Sequence, residues 1–262
     1  MKYLDLTVIG LKQAIAYRTE FFAGLVAALI NLTVLYFAWN AVYAASASTV
    51  IGGFTLSTMM TYLVVSSCLR SLTYSGLEYD FEWDVRTGGI STILTKPVSY
   101  PLFRIFKGFS NTIFTMVTSI LPIILISVLL IGISPPINSL AFLISVVLGY
   151  FVNYFMIFLT GMWAFYSTGS VWGISLSRRV ISDIMSGAVI PFSFFPVWFV
   201  SIANLLPFQT MFNLPLSIYL GKIVGIDILY SFVQQIVWLV ILGALCYLVW
   251  KRVERKVVVH GG

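Results

Sequence analysis

The stretch SLAFLISVVLGYFVNYFMIFLTGMWAFY, residues 139–166, contains no charged side chain and is long enough to cross a lipid bilayer. It lies within a longer run, residues 108–177, that has no Asp, Glu, Lys or Arg. A helix that spans the hydrocarbon core of a bilayer needs about 20 apolar residues. The run therefore accommodates two membrane spans joined by a short turn, for which Ser134-Pro135-Pro136 provides the residues.

The whole chain shares this apolar character. Of its 262 residues, 60% are apolar, 16% are aromatic and only 9% are charged, and the mean hydropathy is +0.99. Soluble domains carry about 25% charged residues, so the composition excludes a soluble enzyme and a disordered chain. Long unbroken apolar runs also favour helices over a transmembrane barrel, whose strands alternate. The expected fold is an all-α polytopic membrane protein that forms a single domain over residues 1–262.

Three further runs without charged residues extend this pattern, at 21–69, 184–221 and 228–250. We expect six spans, at about residues 21–44, 54–74, 108–131, 139–166, 180–200 and 226–250. Basic residues in short loops mark the cytoplasmic side of a membrane protein. With both termini in the cytoplasm, 14 of the 15 basic residues lie inside and only Lys222 lies outside.

The charge-free run 184–221 is too long for one span and too short for two, so a span over about 180–200 leaves residues 201–222 to be placed. If this segment crossed the membrane, the basic C-terminal tail would lie outside, against the charge rule. Pro207 and Pro215 also favour broken helices over a straight span. We therefore expect a re-entrant or interfacial segment on the outer side.

The N-terminal segment, residues 1–19, has an amphipathic pattern. Leu4, Val8, Leu11 and Ile15 recur at helical spacing, and the charged residues lie off that stripe. We expect a helix that lies flat on the inner leaflet.

Several kinds of chemistry lack the residues they need. His260 is the single histidine, and Cys68 and Cys246 are the two cysteines, so no metal site or Ser/His/Asp triad is expected. The chain has no phosphate-binding loop of the G-x-x-x-x-G-K-[ST] type. The centres of the expected spans contain no ionisable residue, which disfavours an ion-driven carrier. The energy source is therefore expected on another chain.

The charged residues collect in one acidic segment, residues 78–84. In a helix, Glu78 would share a face with Glu82, and Asp80 with Asp84. The aromatic residues between the carboxylates favour a docking surface for a partner protein over a solvated turn. An acidic segment could also bind a divalent cation, but no phosphate-binding motif accompanies it.

The next segment resembles a known family. Arg86, Gly88, Leu94, Lys96, Pro97 and Ser99 resemble the cytosolic segment of permease subunits of ATP-binding-cassette (ABC) exporters of the type-2 class, in a bacterial branch of that class. Residues 187–196, 206–208 and Pro215 resemble the fifth span and the outer re-entrant helices of the same family, and residues 257–262 resemble its closing residues.

The resemblance implies a permease without its own nucleotide-binding site that exports a substrate across the cytoplasmic membrane. ATP and Mg²⁺ would bind a separate ABC ATPase, and this chain would carry no cofactor, metal or nucleic acid. It would dimerise with a second permease, of the same or a different sequence. A coupling segment, residues 76–99, would dock on the ATPase through Glu78, Asp80, Phe81, Glu82, Trp83, Asp84, Arg86, Gly88, Leu94, Lys96 and Pro97. The outer gate would include Pro191, Pro196, Pro207, Phe208 and Pro215.

Two other functions stay open from the residues alone. A stand-alone secondary carrier or channel would need an intramembrane ionisable residue or an internal repeat, and the sequence shows neither clearly. A membrane-embedded enzyme, such as a lipid transferase, would need His, Asp or Glu clustered at one membrane face, and residues 78–84 are the single such cluster.

Overall fold

A computed structural model describes residues 18–46, 48–73, 76–95, 97–130, 132–166 and 170–260 of the chain. The expected interfacial helix over residues 1–19 lies outside this described part, apart from its last two positions, which begin the first helix.

Helices account for most of the described chain, as the composition predicts. The helices are α1 (Arg18–Ala45), α2 (Leu56–Thr73), α3 (Leu77–Thr87), α4 (Gly89–Leu94), α5 (Tyr100–Thr115), α6 (Leu121–Leu130), α7 (Ser139–Gly161), α8 (Trp172–Met185), α9 (Val197–Leu205), α10 (Phe208–Met211), α11 (Asn213–Tyr219) and α12 (Ile226–His260). A π-helical turn, Met116–Ile120, joins α5 to α6, and 3₁₀ turns lie at Met162–Phe165 and Phe192–Phe194.

Among the described residues, three helical stretches are long and apolar enough to cross a membrane. They are Tyr100–Leu129, Ser139–Phe165 and Ile226–Arg255. Their outward side chains are largely apolar, as lipid-facing helices require. The all-α polytopic membrane fold is therefore confirmed, whereas the number of spans stays a prediction.

A small antiparallel hairpin, β1 (Val50–Ile51) with β2 (Phe54–Thr55), connects α1 to α2. Gly52 and Gly53 form its turn and both have positive φ, +58° and +77°. Two-residue hairpin turns of this kind need positive φ at both positions, which glycine adopts without strain.

The hairpin marks one end of the molecule, which we call the hairpin end. Two other linkers meet it there. The Lys222 ammonium lies 3.3 Å from the centroid of the Phe54 ring. The Ile137 amide donates to the Tyr219 carbonyl oxygen at 3.1 Å, and the Tyr219 hydroxyl donates to the Ser134 carbonyl oxygen at 2.7 Å.

The opposite end carries α3, and we call it the α3 end. There the N-terminus of α5 meets the C-terminal part of α12, because Tyr100 stacks on Trp250 with ring centroids 5.1 Å apart. Phe81 of α3 packs edge-on against Phe158 of α7 at 5.2 Å. Both contacts belong to a buried apolar cluster at this end.

In the described ranges, six passes of the chain connect the two ends: α1, α2, the α5–α6 rod, α7, α8 with the segment up to Phe194, and α12. The fifth pass begins at the α3 end, where Arg178 contacts Glu78. It finishes at the hairpin end, where the Phe194 ring lies 5.6 Å from the Trp39 ring.

The fifth pass, which contains the span expected at about residues 180–200, is not one continuous helix. Helix α8 ends at Met185, and Gly187 follows with φ of +74°. Pro191 and Pro196 then lack the amide hydrogens that a continuing helix would use. The broken stretch is held on α2 instead, since the Tyr62 and Ser66 hydroxyls donate to the carbonyl oxygens of residues 187 and 188.

Candidate functional site

The segment between α2 and α5 folds as two short helices, α3 and α4. Gly76 precedes α3 and Gly88 follows it, with φ of +62° and +69°. A Cβ placed on Gly88 would meet no atom within 4 Å, so the left-handed backbone, and not lack of space, favours glycine there. Glu78 and Asp80 lie in the first turn of α3, where carboxylates stabilise the helix N-terminus.

One side of α3 is bound to α5 through a cluster of charged groups. The Arg104 guanidinium lies 3.0 Å from a carboxylate oxygen of Asp80 and forms a second ion pair with Asp84. The Tyr100 hydroxyl donates to the same Asp84 carboxylate at 2.5 Å. The Arg104 side chain is only 3% exposed. Lys107 adds a weaker, solvent-exposed contact to Asp80 at 3.7 Å.

The opposite side of α3 is bound to α8 and the residues before it. Arg178 donates to the Glu78 carboxylate at 3.2 Å, and the Glu78 side chain is 2% exposed. The Val171 amide donates to Glu82 at 3.1 Å, and Arg86 pairs with Glu82 at 2.6 Å. The two faces that the helical spacing predicts are therefore both present. Each faces basic groups of this chain, so these carboxylates are already paired within the protein.

Phe81 lies in the interior. It is fully buried and packs against Phe158 and Tyr100, with centroid distances of 5.2 and 5.7 Å. A methyl group on Gly161 would collide with the Phe81 ring, so glycine there makes room for it. The expectation that Phe81 is an anchor for a partner is therefore corrected: its side chain holds α3 onto α7.

Trp83 has the opposite environment. It is 68% exposed, the largest apolar side chain on the outward side of α3. Arg86, Thr87, Ser91 and Thr92 are exposed beside it on α3 and α4. We call these five residues the docking face. It contains Trp83 and Arg86 from the sequence prediction, whereas Glu78, Asp84 and Phe81 are buried beneath it.

The remaining predicted coupling residues are placed as follows. Gly88 is exposed at the junction of α3 and α4, and Leu94 is half-buried against the apolar cluster at the α3 end. Pro97 is exposed before α5, and Lys96 lies outside the described residues. The structure thus brings residues 76–94 together in one compact unit.

The predicted gate residues lie on the fifth pass and on the short helices α9 to α11. Their prolines stand mostly at helix starts: Pro191 before a 3₁₀ turn, Pro196 before α9 and Pro207 before α10. Pro191, Pro207 and Pro215 are buried, Phe208 is half-buried and Pro196 is exposed. The segment is therefore a series of breaks, as its proline content predicts, and not a straight helix.

A buried amide fixes this segment to the long helices. Gln235 of α12 is fully buried and donates to the Thr210 carbonyl oxygen at 2.8 Å and to the Ser145 carbonyl oxygen at 2.9 Å. Gly149 of α7 allows the close approach, since a Cβ there would lie 3.1 Å from the Met211 Cα. Gln235 thus ties α10 to α7 and α12.

A polar cavity of about 540 Å³ lies among α1, α2, α7 and α8 near the α3 end. Its lining includes the polar residues Asn31, Arg70, Asn153, Arg178 and Asp183. Arg70 and Asp183 are paired at 2.9 Å. Glu78 of α3 also lines the cavity, which therefore extends from α3 into the space between the helices.

Sequence reasoning missed the partners of the acidic run. Arg104 and Arg178 were interpreted only as marks of the cytoplasmic side. The sequence did contain a signal for these ion pairs. Two faces of carboxylates on one helix need cations if they are buried, and Arg104 and Arg178 lie on neighbouring passes of the chain.

Apolar helices of membrane-crossing length, with a compact charged unit at one end, define an integral membrane protein. The family described as ABC-2 family transporter protein matches residues 29–261, and the chain belongs to that family. It is thus a permease subunit of an ABC transporter. This family of transport subunits lacks a nucleotide-binding domain, and membership implies partnership with an ABC ATPase and the membrane. A comparison with curated proteins finds no match.

Proposed function

We propose that this permease exports its substrate across the cytoplasmic membrane, driven by ATP hydrolysis on a separate ATPase subunit. ATP and Mg²⁺ bind that subunit, and this chain carries no cofactor of its own. Two permease chains, identical or different, form the membrane part of the complex. Both termini and the α3 end lie in the cytoplasm, which agrees with the clustering of basic residues there.

The observation that carries this proposal is the binding of α3 on two sides. Arg104 connects α3 to α5, and Arg178 connects it to α8. A force applied to the docking face therefore acts on two passes of the chain at once. Such a connection is what an ATPase needs in order to move membrane helices.

At the other end of the fifth pass we propose the outer gate. The stretch from Gly187 to Pro196 has no regular helix beyond one 3₁₀ turn, and it rests on α2 through Tyr62 and Ser66. Because α8 leads directly into this stretch, movement of the α3–α8 contact reaches it through a single helix. The proposed gate also includes Pro207, Phe208 and Pro215 on the neighbouring short helices.

Trp83→Ala tests the docking face. An aromatic anchor at a protein interface commonly contributes 2 kcal/mol or more, so we expect the affinity for the ATPase to fall by roughly thirtyfold. Insertion and thermal stability of the permease should stay unchanged, since the side chain is 68% exposed. The measurement is co-purification and titration of the ATPase against the permease in detergent or nanodiscs.

Trp198→Ala is the matched control for this variant. Trp198 is 66% exposed but lies on α9, far along the chain from the docking face. It should leave ATPase affinity unchanged. Wild-type ATPase binding and transport by Trp83→Ala would show that the docking face is elsewhere on the α3 end.

Cysteine labelling tests the proposed orientation. In a background without Cys68 and Cys246, cysteines at positions 222 and 254 should react differently with an impermeant maleimide on intact cells. Both positions are exposed. Position 222 should label from outside, and position 254 only after permeabilisation. Equal labelling of both from outside would contradict six spans with an inward C-terminus.

A further inference from the structure

A second cavity, a groove of about 420 Å³, lies on the other side of the α3 end, between α5, α7 and α12. Its walls are largely apolar and include Ile105, Phe155, Cys246 and Trp250. The volume is within the range of ligand pockets in proteins, about 300–1,000 Å³. The groove does not touch the docking face and has no part in the proposed coupling path.

The mouth of the groove carries charges of both signs. Lys251 and Glu254 line it, one turn apart on α12, at the point where this helix changes from apolar to charged residues. The Lys251 ammonium lies 4.6 Å from the centroid of the Tyr247 ring. Within the described part of the chain, neither Lys251 nor Glu254 takes part in an ion pair. Each is therefore available to a bound molecule.

The wall of the groove also contains an unsatisfied polar group. Tyr154 lines it and is 3% exposed, and its hydroxyl has no hydrogen-bond partner among the described residues. A buried hydroxyl without a partner is costly. An ester carbonyl oxygen of a bound molecule is the kind of acceptor that would satisfy it.

We propose that this groove binds one molecule of phosphatidylethanolamine from the leaflet at the α3 end. The phosphate pairs with Lys251, and the headgroup ammonium pairs with Glu254. One acyl chain lies along the apolar wall formed by Ile105, Phe155 and Cys246. The arrangement matches an amphiphile, because the charged mouth lies at the aqueous boundary and the apolar wall extends into the helices.

The pair of charges, together with the hydrogen-bonding capacity of Glu254, selects phosphatidylethanolamine over other phospholipids. An anionic headgroup, such as phosphatidylglycerol, would satisfy Lys251 but would face the Glu254 carboxylate. Phosphatidylcholine has the positive charge but cannot donate a hydrogen bond to that carboxylate. Arg252 and Arg255 lie on the same turns of α12, but neither lines the groove.

Bromine-labelled lipids test this proposal directly. The full-length chain is reconstituted in phosphatidylcholine nanodiscs with increasing fractions of a phospholipid whose acyl chains carry bromine, which quenches nearby tryptophan fluorescence. Trp250 is the reporter. Its contribution is obtained by subtracting the fluorescence of the Trp250→Phe variant from that of the wild type. We expect phosphatidylethanolamine to quench it at a mole fraction about three- to tenfold lower than phosphatidylcholine does.

Two charge variants separate the headgroup contacts. Glu254→Gln should abolish the preference for phosphatidylethanolamine over phosphatidylcholine, and Lys251→Gln should weaken quenching by both lipids. Asp227→Asn makes the same charge change at the other end of α12 and should preserve the preference, as should Arg252→Gln.

Two results would overturn the proposal: an unchanged lipid preference in Glu254→Gln, or quenching by phosphatidylglycerol at equal or lower mole fraction. The second result would show that the basic residues of α12 simply attract anionic lipid. If Trp250→Phe fails to fold, native mass spectrometry of the detergent-solubilised wild type and Glu254→Gln replaces the fluorescence. Retention of phosphatidylethanolamine by both proteins alike then contradicts the proposal.

Discussion

Replacing Arg104 with alanine is expected to destabilise the junction of α3 with α5 by about 3–5 kcal/mol, because removing one partner of a buried ion pair leaves the other charge uncompensated. Asp84, which is 7% exposed, would lose its cation, and Asp80 would keep only Lys107. Hydrogen exchange of the α3 amides should become faster, and transport should be lost. Lys107→Ala is the control: its side chain is 41% exposed, so a change of at most about 1 kcal/mol is expected.

A double variant distinguishes the lost ion pair from lost packing. Arg104→Met with Asp84→Asn removes both charges and retains side-chain volume, so it should recover much of the stability that Arg104→Met loses alone. Additive effects of the two substitutions would show that the pair does not hold α3 in place.

Phe81→Ala should be the other large effect. Truncating a buried phenylalanine typically costs about 3–5 kcal/mol, since it creates a cavity. Here the cavity would lie among Phe158, Tyr100 and Gly161. We expect the purified Phe81→Ala permease to have a lower thermal unfolding midpoint than wild type. The midpoint of Phe81→Leu should fall less, because leucine fills more of the space. Thermal unfolding in detergent, monitored with the ATPase absent, measures the effect.

This experiment also separates the role of Phe81 from that of Trp83 on α3. Phe81→Ala should lower stability, whereas Trp83→Ala should lower ATPase affinity at unchanged stability. The opposite result, normal stability with loss of ATPase binding in Phe81→Ala, would restore Phe81 as a docking anchor.

Much of the fold could be predicted from the sequence because lipid imposes one strong rule: backbone polar groups must be satisfied within helices. The charge-free runs therefore located α1, α2, α7 and α12 well. The start of α5 was placed too late, at residue 108, since the prediction excluded charged residues from a span. Arg104 lies inside the helix because Asp80 and Asp84 neutralise it.

The unit formed by α3 and α4 shows what local sequence patterns cannot reveal. Helical spacing correctly grouped Glu78 with Glu82 and Asp80 with Asp84. It could not tell which face points to a partner protein, because that depends on Arg104 and on Arg178, which lies 100 residues from Glu78 in sequence. Local sequence also could not show that Phe81 is buried and Trp83 exposed. The space for the Phe81 ring comes from Gly161, which is distant in sequence.

The placement of the ion pairs on α3 determines which motions it can transmit. Positions 78 and 82 lie about 200° around the helix from positions 80 and 84, since each residue turns by about 100°. Rolling α3 about its own axis would pull Glu78 and Asp80 away from their arginines in opposite directions. Translation or tilting of the whole helix would keep both ion pairs, because Arg104 and Arg178 would move with it. The ion pairs therefore resist rotation of α3 about its own axis more than its translation, so the coupling that we propose would use translation of this helix.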